Sequence, residues 1–343
     1  MDDTILVSAH GDDMVHVLRW IEGGRALEPA GTIDVAGGPG AIAFSPPGDF
    51  MYVATRGIPG IHGFRCSAHA RWDLVATTAL DHDPCFIGLD RSGRFLLASY
   101  YHAGGVTVHE IGNDGALLAD SATRYETDTN AHMCATDPGN RLVFVPHTGP
   151  NFIARFRFEA STGAMVREES AAPFCPPGAG PRHMVFHPTG RWAFTSNELG
   201  SSVSVYEYDE GAGHLRFVAS HSTLPDGYSG DNTCGQIHIS PDATTLCVSN
   251  RGHDSIACFA FEPARSTLHA TGHIPTGPVP RAFCLDRTGR LVCAASQEHG
   301  TLTVAAVPGP GDQPSILNSY TNILSERANP LWVCLTPRAA DPR

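Results

Sequence analysis

A short pattern recurs seven times along the chain: an apolar strand, a tight turn and a second apolar strand. The residue that opens the turn recurs every 45 to 53 residues, at Ser45, Asp90, Asp137, His187, Ser240, Asp286 and Thr336. The blades of β-propellers, each a four-stranded sheet, repeat at this interval. The sequence therefore predicts an all-β fold, a seven-bladed β-propeller.

The two ends of the chain complement each other. The seventh copy is truncated at residues 332–338 (WVCLTPR), whereas residues 6–20 (LVSAHGDDMVHVLRW) match residues 194–208 (FTSNELGSSVSVYEY) of the fourth copy. We therefore expect the N- and C-terminal strands to share one blade, which closes the ring and leaves no open sheet edge. Residues 1–343 then form a single domain.

The composition disfavours several classes of partner. The formal charge is -12, and all 23 basic residues are arginines, so we expect no nucleic-acid footprint. The first residues are acidic, and no apolar run approaches the length of about 18 residues that spans a bilayer. We expect a cytoplasmic protein with no membrane partner, and ten cysteines that are mostly reduced core residues.

Two columns of the repeat carry most of the candidate functional residues. Five positions before the turn the copies have Gly40, Cys85, His132, Arg182, Gly235, Arg281 and Leu331. Eleven positions after it they have Arg56, Tyr101, Thr148, Glu198, Arg251 and Gln297, and the N-terminal strand supplies His10. The first strand runs into the turn and the second runs back, so both columns lie at one end of the ring. We call this end the mouth and the opposite end the turn end.

The mouth columns have residue types that stabilise negative charge and transfer protons. Guanidinium groups such as those of Arg182 and Arg251 stabilise a developing oxyanion and bind carboxylate or phosphate. His132 has the intrinsic pKa of a general base, and Glu198 beside arginines would stay ionised and orient them. The alternative for Arg182, Arg251 and Glu198 is a purely structural ion pair. Eighteen histidines show no metal-ligand spacing, so we expect no metal and no cofactor.

The remaining polar candidates are predicted to contact the substrate. His183 follows Arg182 and alternates to the other strand face, so a packing role is the favoured alternative for it, as it is for the interior His238. The predicted substrate-binding residues are His10, Arg56, Tyr101, His147, His183, His238, Arg281 and Gln297.

Residues 180–188 (GPRHMVFHP), followed by Asn197-Glu198-Leu199 and residues 201–203 (SSV), resemble the bacterial 6-phosphogluconolactonase and carboxymuconate-cyclase family. The resemblance covers nearly the whole chain and implies that family's seven-bladed propeller. From the site proposed for the cycloisomerase branch of that family, it also implies a catalytic set of His132, Arg182, Glu198 and Arg251. The additional histidine at His147 departs from the phosphogluconolactonases.

Three functions follow from these patterns. The leading hypothesis is a metal-independent, 6-phosphogluconolactonase-like hydrolase that acts on an anionic sugar lactone. The second is a lactonising cycloisomerase acting on a muconate-like dicarboxylate, which needs a proton donor where hydrolysis needs a base. The third is a non-catalytic binding scaffold, since a propeller fold alone does not fix a function. Either enzyme would bind a small anionic lactone or its open-chain acid, as a monomer or homodimer.

Overall fold

The computed structural model describes residues 3–21, 23, 25–67, 71–168 and 173–337. Across these residues the chain forms 28 strands in seven antiparallel four-stranded sheets, with one 3-10 turn at His10–Asp12 and no α-helix. The prediction of an all-β, seven-bladed propeller is confirmed.

The strands follow the chain in order. The first three are β1 (Asp3–Ala9), β2 (Met14–Ile21) and β3 (Ala26–Asp34). Blade 1 contains β4 (Pro39–Phe44), β5 (Phe50–Thr55), β6 (Gly60–Cys66) and β7 (Trp72–Ala79). Blade 2 contains β8 (Phe86–Leu89), β9 (Phe95–Ser99), β10 (Val106–Glu110) and β11 (Thr123–Tyr125). Blade 3 contains β12 (Ala135–Thr136), β13 (Leu142–His147), β14 (Phe152–Glu159) and β15 (Ala164–Arg167).

The second half of the ring continues in the same way. Blade 4 contains β16 (Pro181–Phe186), β17 (Trp192–Asn197), β18 (Ser202–Asp209) and β19 (His214–Ser222). Blade 5 contains β20 (Thr233–Ile239), β21 (Thr245–Arg251), β22 (Ser255–Glu262) and β23 (Thr267–Pro275). Blade 6 contains β24 (Pro280–Leu285), β25 (Leu291–Ser296), β26 (Leu302–Ala306) and β27 (Ser315–Tyr320). The last strand is β28 (Pro330–Leu335).

Blade 7 is shared between the two ends of the chain. Its strand order is β28-β1-β2-β3, so the C-terminal strand is innermost and the N-terminal strands form the rest. β28 and β1 are antiparallel, with Val7 opposite Val333 and Ile5 opposite Leu335. This confirms the expected shared blade, which joins the two ends of the chain through backbone hydrogen bonds and so closes the ring.

The repeated turns are stabilised by the residue that opens them. In blade 3, Asp137 is fully buried, and its Oδ1 accepts hydrogen bonds from the backbone N–H groups of Arg141 and Leu142, each at 2.7 Å. Asn140 in this turn has a φ of 53°, a left-handed conformation that asparagine tolerates. The turn end is therefore built from local, satisfied hydrogen bonds.

The innermost strands are irregular near the mouth. The register between β16 and β17 shifts between Pro181 and His183, and that between β24 and β25 shifts between Pro280 and Ala282. The extra residues are Arg182 and Arg281. β-bulges of this kind redirect a side chain and are common beside active sites.

Three aromatic rings from different blades meet one residue deeper along the innermost strands. The ring centroids of Phe86 and Trp332 are 5.8 Å apart, and those of Phe86 and His183 are also 5.8 Å apart, both pairs being edge-to-face. Blades 2, 4 and 7 supply these rings. They form a floor beneath the residues of the mouth, which we call the aromatic floor.

Candidate active site

A cavity of about 230 Å³ opens at the mouth, above the aromatic floor. Blades 1, 2, 3, 4 and 6 contribute its lining, which consists of Arg56, Cys85, Tyr101, His102, His132, Glu198 and Arg281. All but His102 belong to the two sequence columns. The ring therefore brings residues from distant parts of the chain to one cavity.

Glu198 joins the two arginines predicted to be catalytic. Its Oε1 accepts a hydrogen bond from Arg251 Nη2 at 2.7 Å, and its Oε2 lies 3.4 Å from Arg182 Nε. Burial alone would raise the pKa of Glu198, but the charges of Arg182 and Arg251 outweigh it and the pKa is lowered. Glu198 is therefore an ionised carboxylate that holds both guanidinium groups in place.

Among the residues that the structure describes, Arg182 is the largest fully buried side chain, with only 2% of its surface exposed. Its Nε and Nη1 atoms have no hydrogen-bond partner within the part of the chain that the structure describes. Burial and the neighbouring charge of Arg251 lower its pKa well below the usual value, whereas Glu198 opposes this shift. A buried cation with unused donors favours an anionic partner.

Two further arginines, Arg56 and Arg281, add positive charge to the cavity. Arg56 Nη2 lies 3.0 Å from Asp83 Oδ2. Arg281 lines the cavity, and burial followed by the charges of Arg251 and Arg56 lowers its pKa to about 10. The four arginines of this region face two carboxylates, those of Glu198 and Asp83, so the cavity has a positive excess although the whole chain is acidic.

His132 lines the same cavity as Arg56 and Arg281. Its side chain is 4% exposed and its ring lies edge-to-face with Tyr101, at a centroid distance of 5.5 Å. Burial, followed by the charge of Arg182, holds the pKa of His132 well below its usual value of 6.5. His132 is therefore a neutral imidazole, the form that accepts a proton.

His183 and His238 lie deeper than the cavity. The sequence pattern places His183 on the opposite face from Arg182 by simple alternation, but the bulge at Arg182 interrupts that alternation. The His183 ring instead joins the aromatic floor and lies 5.1 Å from the His132 ring. His238 packs edge-to-face on Phe283 at 4.6 Å, and its Nε2 lies 3.3 Å from Gln236 Oε1.

Five predicted substrate-binding residues are absent from the described cavity lining: His183 and His238, which lie deeper, and three others. The predicted catalytic Arg182 and Arg251 are also absent from that lining and reach it through Glu198. His147 is fully buried in blade 3, where its ring stacks on Phe152 at 4.4 Å and its Nδ1 contacts Thr129 O at 3.0 Å. Gln297 donates a hydrogen bond to Asn329 Oδ1 at 2.8 Å. His10 lies at the junction of blades 7 and 1, against Gly38.

Three residues of the site region were not singled out by the sequence patterns. Cys85 belongs to the first column but was assigned to the core; it is buried and also borders the cavity, where burial raises the pKa of its thiol. His102 lines the rim next to Tyr101, and Asp83 pairs with Arg56. Cys85 is itself a column residue, and Asp83 and His102 each lie within two residues of one. Nearness in sequence to the columns could therefore have indicated all three.

The described residues provide neither a metal-binding cluster nor a membrane-spanning helix. No group of three or more His, Cys, Asp or Glu side chains there is arranged to hold a metal ion. No helix among those residues is long and apolar enough to cross a bilayer.

Comparison with known proteins places this geometry in a family. Residues 4–312 match the family described as "Lactonase, 7-bladed beta-propeller". The chain is 31% identical over 316 residues to a 6-phosphogluconolactonase of Cronobacter sakazakii, covering 90% of this chain and 92% of that protein. It is 30% identical over 305 residues to a 6-phosphogluconolactonase of Pectobacterium carotovorum, covering 89% and 91% of the two chains.

A solved structure supports the same fold. The periplasmic gluconolactonase PpgL of Pseudomonas aeruginosa superposes with a TM-score of 0.87, at 24% identity, over 98% of this chain and 99% of that one. The match in sequence extends along most of the chain and the match in structure along nearly all of it. The chain therefore belongs to the seven-bladed β-propeller lactonase family.

Proposed function

We propose that this protein is a metal-independent lactonase that hydrolyses an anionic sugar lactone of the 6-phosphogluconolactone type. The observation that carries the proposal is the buried Arg182 guanidinium, which has two nitrogen atoms without a hydrogen-bond partner and is held by Glu198 beside the cationic cavity that the neutral His132 lines. The relatives named 6-phosphogluconolactonase support the choice of substrate. The excess of guanidinium groups disfavours binding of a divalent cation at the same place.

Arg182 and Arg251 supply the electrostatic part of the reaction. As water attacks the lactone carbonyl carbon, negative charge develops on the carbonyl oxygen. Guanidinium donors already held by Glu198 stabilise this charge without reorganising. Burial of Arg182 strengthens the interaction, because little bulk water is present to screen it.

His132 supplies the proton transfers. The neutral imidazole takes a proton from the attacking water, the bond between the carbonyl carbon and the ring oxygen breaks, and the proton passes to the leaving alkoxide. The charge of Arg182 makes the free His132 a weak base. An anionic substrate would offset that charge and raise the pKa of His132, so substrate binding would itself activate the base.

The ionised state of Glu198 favours hydrolysis over cycloisomerisation. A lactonising cyclase needs a proton donor, whereas Glu198 is held as a carboxylate by Arg182 and Arg251. Glu198 is then a positioning residue for the two arginines. The cytoplasmic location, single-domain organisation and monomeric or homodimeric state expected from the sequence stay predictions, which cell fractionation and light scattering would check.

Acid release from 6-phosphogluconolactone, followed in a pH-stat against the spontaneous rate, tests the proposal. We expect strong acceleration that survives a chelator, and its loss in His132→Gln. His214→Gln, an exposed histidine at the turn end, is the matched control and should retain full activity. A failure to accelerate hydrolysis of any phosphorylated or unphosphorylated aldonolactone would overturn the proposal. Loss of diene absorbance with a muconate substrate would instead support the cyclase.

A further inference from the structure

Blades 4 and 6 have the same local arrangement at the mouth, with one difference. Each places an arginine on a β-bulge of its innermost strand, Arg182 in blade 4 and Arg281 in blade 6. In each blade the residue that follows the second strand belongs to the second column of the mouth. This residue is Glu198 in blade 4 and Gln297 in blade 6.

The difference determines which arginine has a counterion. Glu198 Oε2 lies 3.4 Å from Arg182 Nε, so Arg182 has a carboxylate from its own blade. Gln297 is neutral, and its amide is turned away to donate to Asn329 Oδ1 at 2.8 Å. Across the described ranges, the Arg281 side chain has neither a hydrogen bond nor an ion pair with another residue.

The surroundings of Arg281 are cationic. Arg56 lines the same cavity, with part of its charge balanced by Asp83. Blade 5, which lies between blades 4 and 6, contributes Gly235 at the equivalent bulge, and a Cβ there would lie 2.3 Å from Ser249 Oγ. A side chain at residue 235 is therefore excluded by close packing, so the position between the two bulge arginines in this column carries no charge.

We propose that Arg281 anchors the phosphate group of the substrate and sets the preference for a phosphorylated lactone, and that the neutral Gln297 keeps this arginine available. The proposal rests on the proposed lactonase function. Arg182, paired with Glu198, acts at the lactone carbonyl beside His132, whereas Arg281 and Arg56 bind the distal dianion. A phosphate ester presents several acceptor oxygens that suit the planar donors of two guanidinium groups.

The first test compares substrate preferences rather than single rates. The quantity measured is the kcat/KM for 6-phosphogluconolactone divided by that for unphosphorylated gluconolactone. Arg281→Gln should lower this ratio about 10- to 100-fold, the usual effect of losing a charge-assisted contact. Arg290→Gln is the matched control, since it removes the same charge from an exposed position at the turn end of the same blade, and it should leave the ratio unchanged.

A second variant tests the role of the neutral partner without removing Arg281. Gln297→Glu recreates in blade 6 the pairing of Arg182 with Glu198, so the new carboxylate should compete with phosphate for Arg281. We expect the ratio to fall about 10-fold, mainly through a higher KM for the phosphorylated lactone. If Arg281→Gln fails to fold, as judged by circular dichroism, Gln297→Glu still tests whether Arg281 binds the phosphate group.

The outcomes separate the two proposals. A ratio unchanged in both folded variants would overturn the role of Arg281 while leaving the lactonase intact. If the wild-type protein hydrolyses neither lactone, calorimetric titration with 6-phosphogluconate gives an independent readout. Binding that weakens at least 10-fold in Arg281→Gln would then support the anion site alone, and equal binding in the two proteins would overturn it.

Discussion

The two ends of the propeller treat buried charge in opposite ways. At the turn end, the Asp137 carboxylate accepts bonds from the backbone of its own turn and from Tyr208 Oη at 2.9 Å. At the mouth, Arg182 is similarly buried but has two nitrogen atoms without a hydrogen-bond partner among the described residues. Local satisfaction of a buried charge indicates a structural role, whereas unused donors beside a cavity indicate a ligand.

The largest effect that the comparison predicts is on catalysis. Arg182→Met should lower kcat/KM about 10²- to 10³-fold, as expected for loss of an oxyanion-stabilising donor. The free energy of unfolding should stay the same or rise, because an apolar side chain of similar length replaces a buried and incompletely bonded cation. Kinetics and urea unfolding of the same preparation check both parts. A variant that is strongly destabilised yet fully active when folded would make Arg182 structural.

The opposite result is expected at the turn end. Asp137→Ala leaves the backbone N–H groups of Arg141 and Leu142 and the hydroxyl of Tyr208 without their acceptor. The free energy of unfolding should fall by about 3 kcal/mol, the cost of orphaning buried donors. Because the turn lies far from the mouth, kcat/KM of the folded enzyme should be unchanged. A large loss of kcat/KM in a fully folded Asp137→Ala protein would contradict the distinction between a structural turn end and a functional mouth.

A smaller effect concerns the pH dependence of stability. The folded-state pKa values of His132 and His183 lie well below 6.5, chiefly because both rings are buried and then because of Arg182. Below pH 6.5 the unfolded chain binds protons that the folded chain does not, so stability should fall with decreasing pH. The loss is at most about 1.4 kcal/mol per pH unit for each histidine.

Urea unfolding between pH 7.5 and 5 checks this expectation. His132→Gln should show a shallower decline in stability than the wild-type protein. His187→Gln is the comparison at the turn end. Burial lowers the pKa of His187, and a hydrogen bond with the backbone of Ala243 partly offsets this, so the variant should alter the slope less. Equal slopes in the wild type and His132→Gln would mean that His132 titrates normally in the folded state.

The sequence predicted the architecture because residues at equivalent positions of a repeat occupy equivalent places in successive blades. The turn residues, such as Asp90 and Asp137, gave the blade count, and the match between residues 6–20 and 194–208 predicted the shared blade. The column positions also placed Arg182, Glu198 and Arg251 in contact. Circular symmetry alone is enough to bring such columns together.

Side-chain directions could not be predicted in the same way. The bulge at Arg182 depends on backbone irregularity that a strict two-residue alternation does not include. His147 turns onto Phe152, and Gln297 turns to Asn329, because partners from neighbouring segments compete with the cavity for these side chains. These contacts are set by tertiary packing rather than by position in the repeat.

A crystal structure with the product 6-phosphogluconate bound would test most directly whether the mouth arginines form the substrate site. We predict the new carboxylate beside Arg182 and His132, and the phosphate within hydrogen-bond distance of Arg281. Product bound instead in the cavity of about 630 Å³ at the turn end, which Arg191 and Arg216 line, would contradict the account.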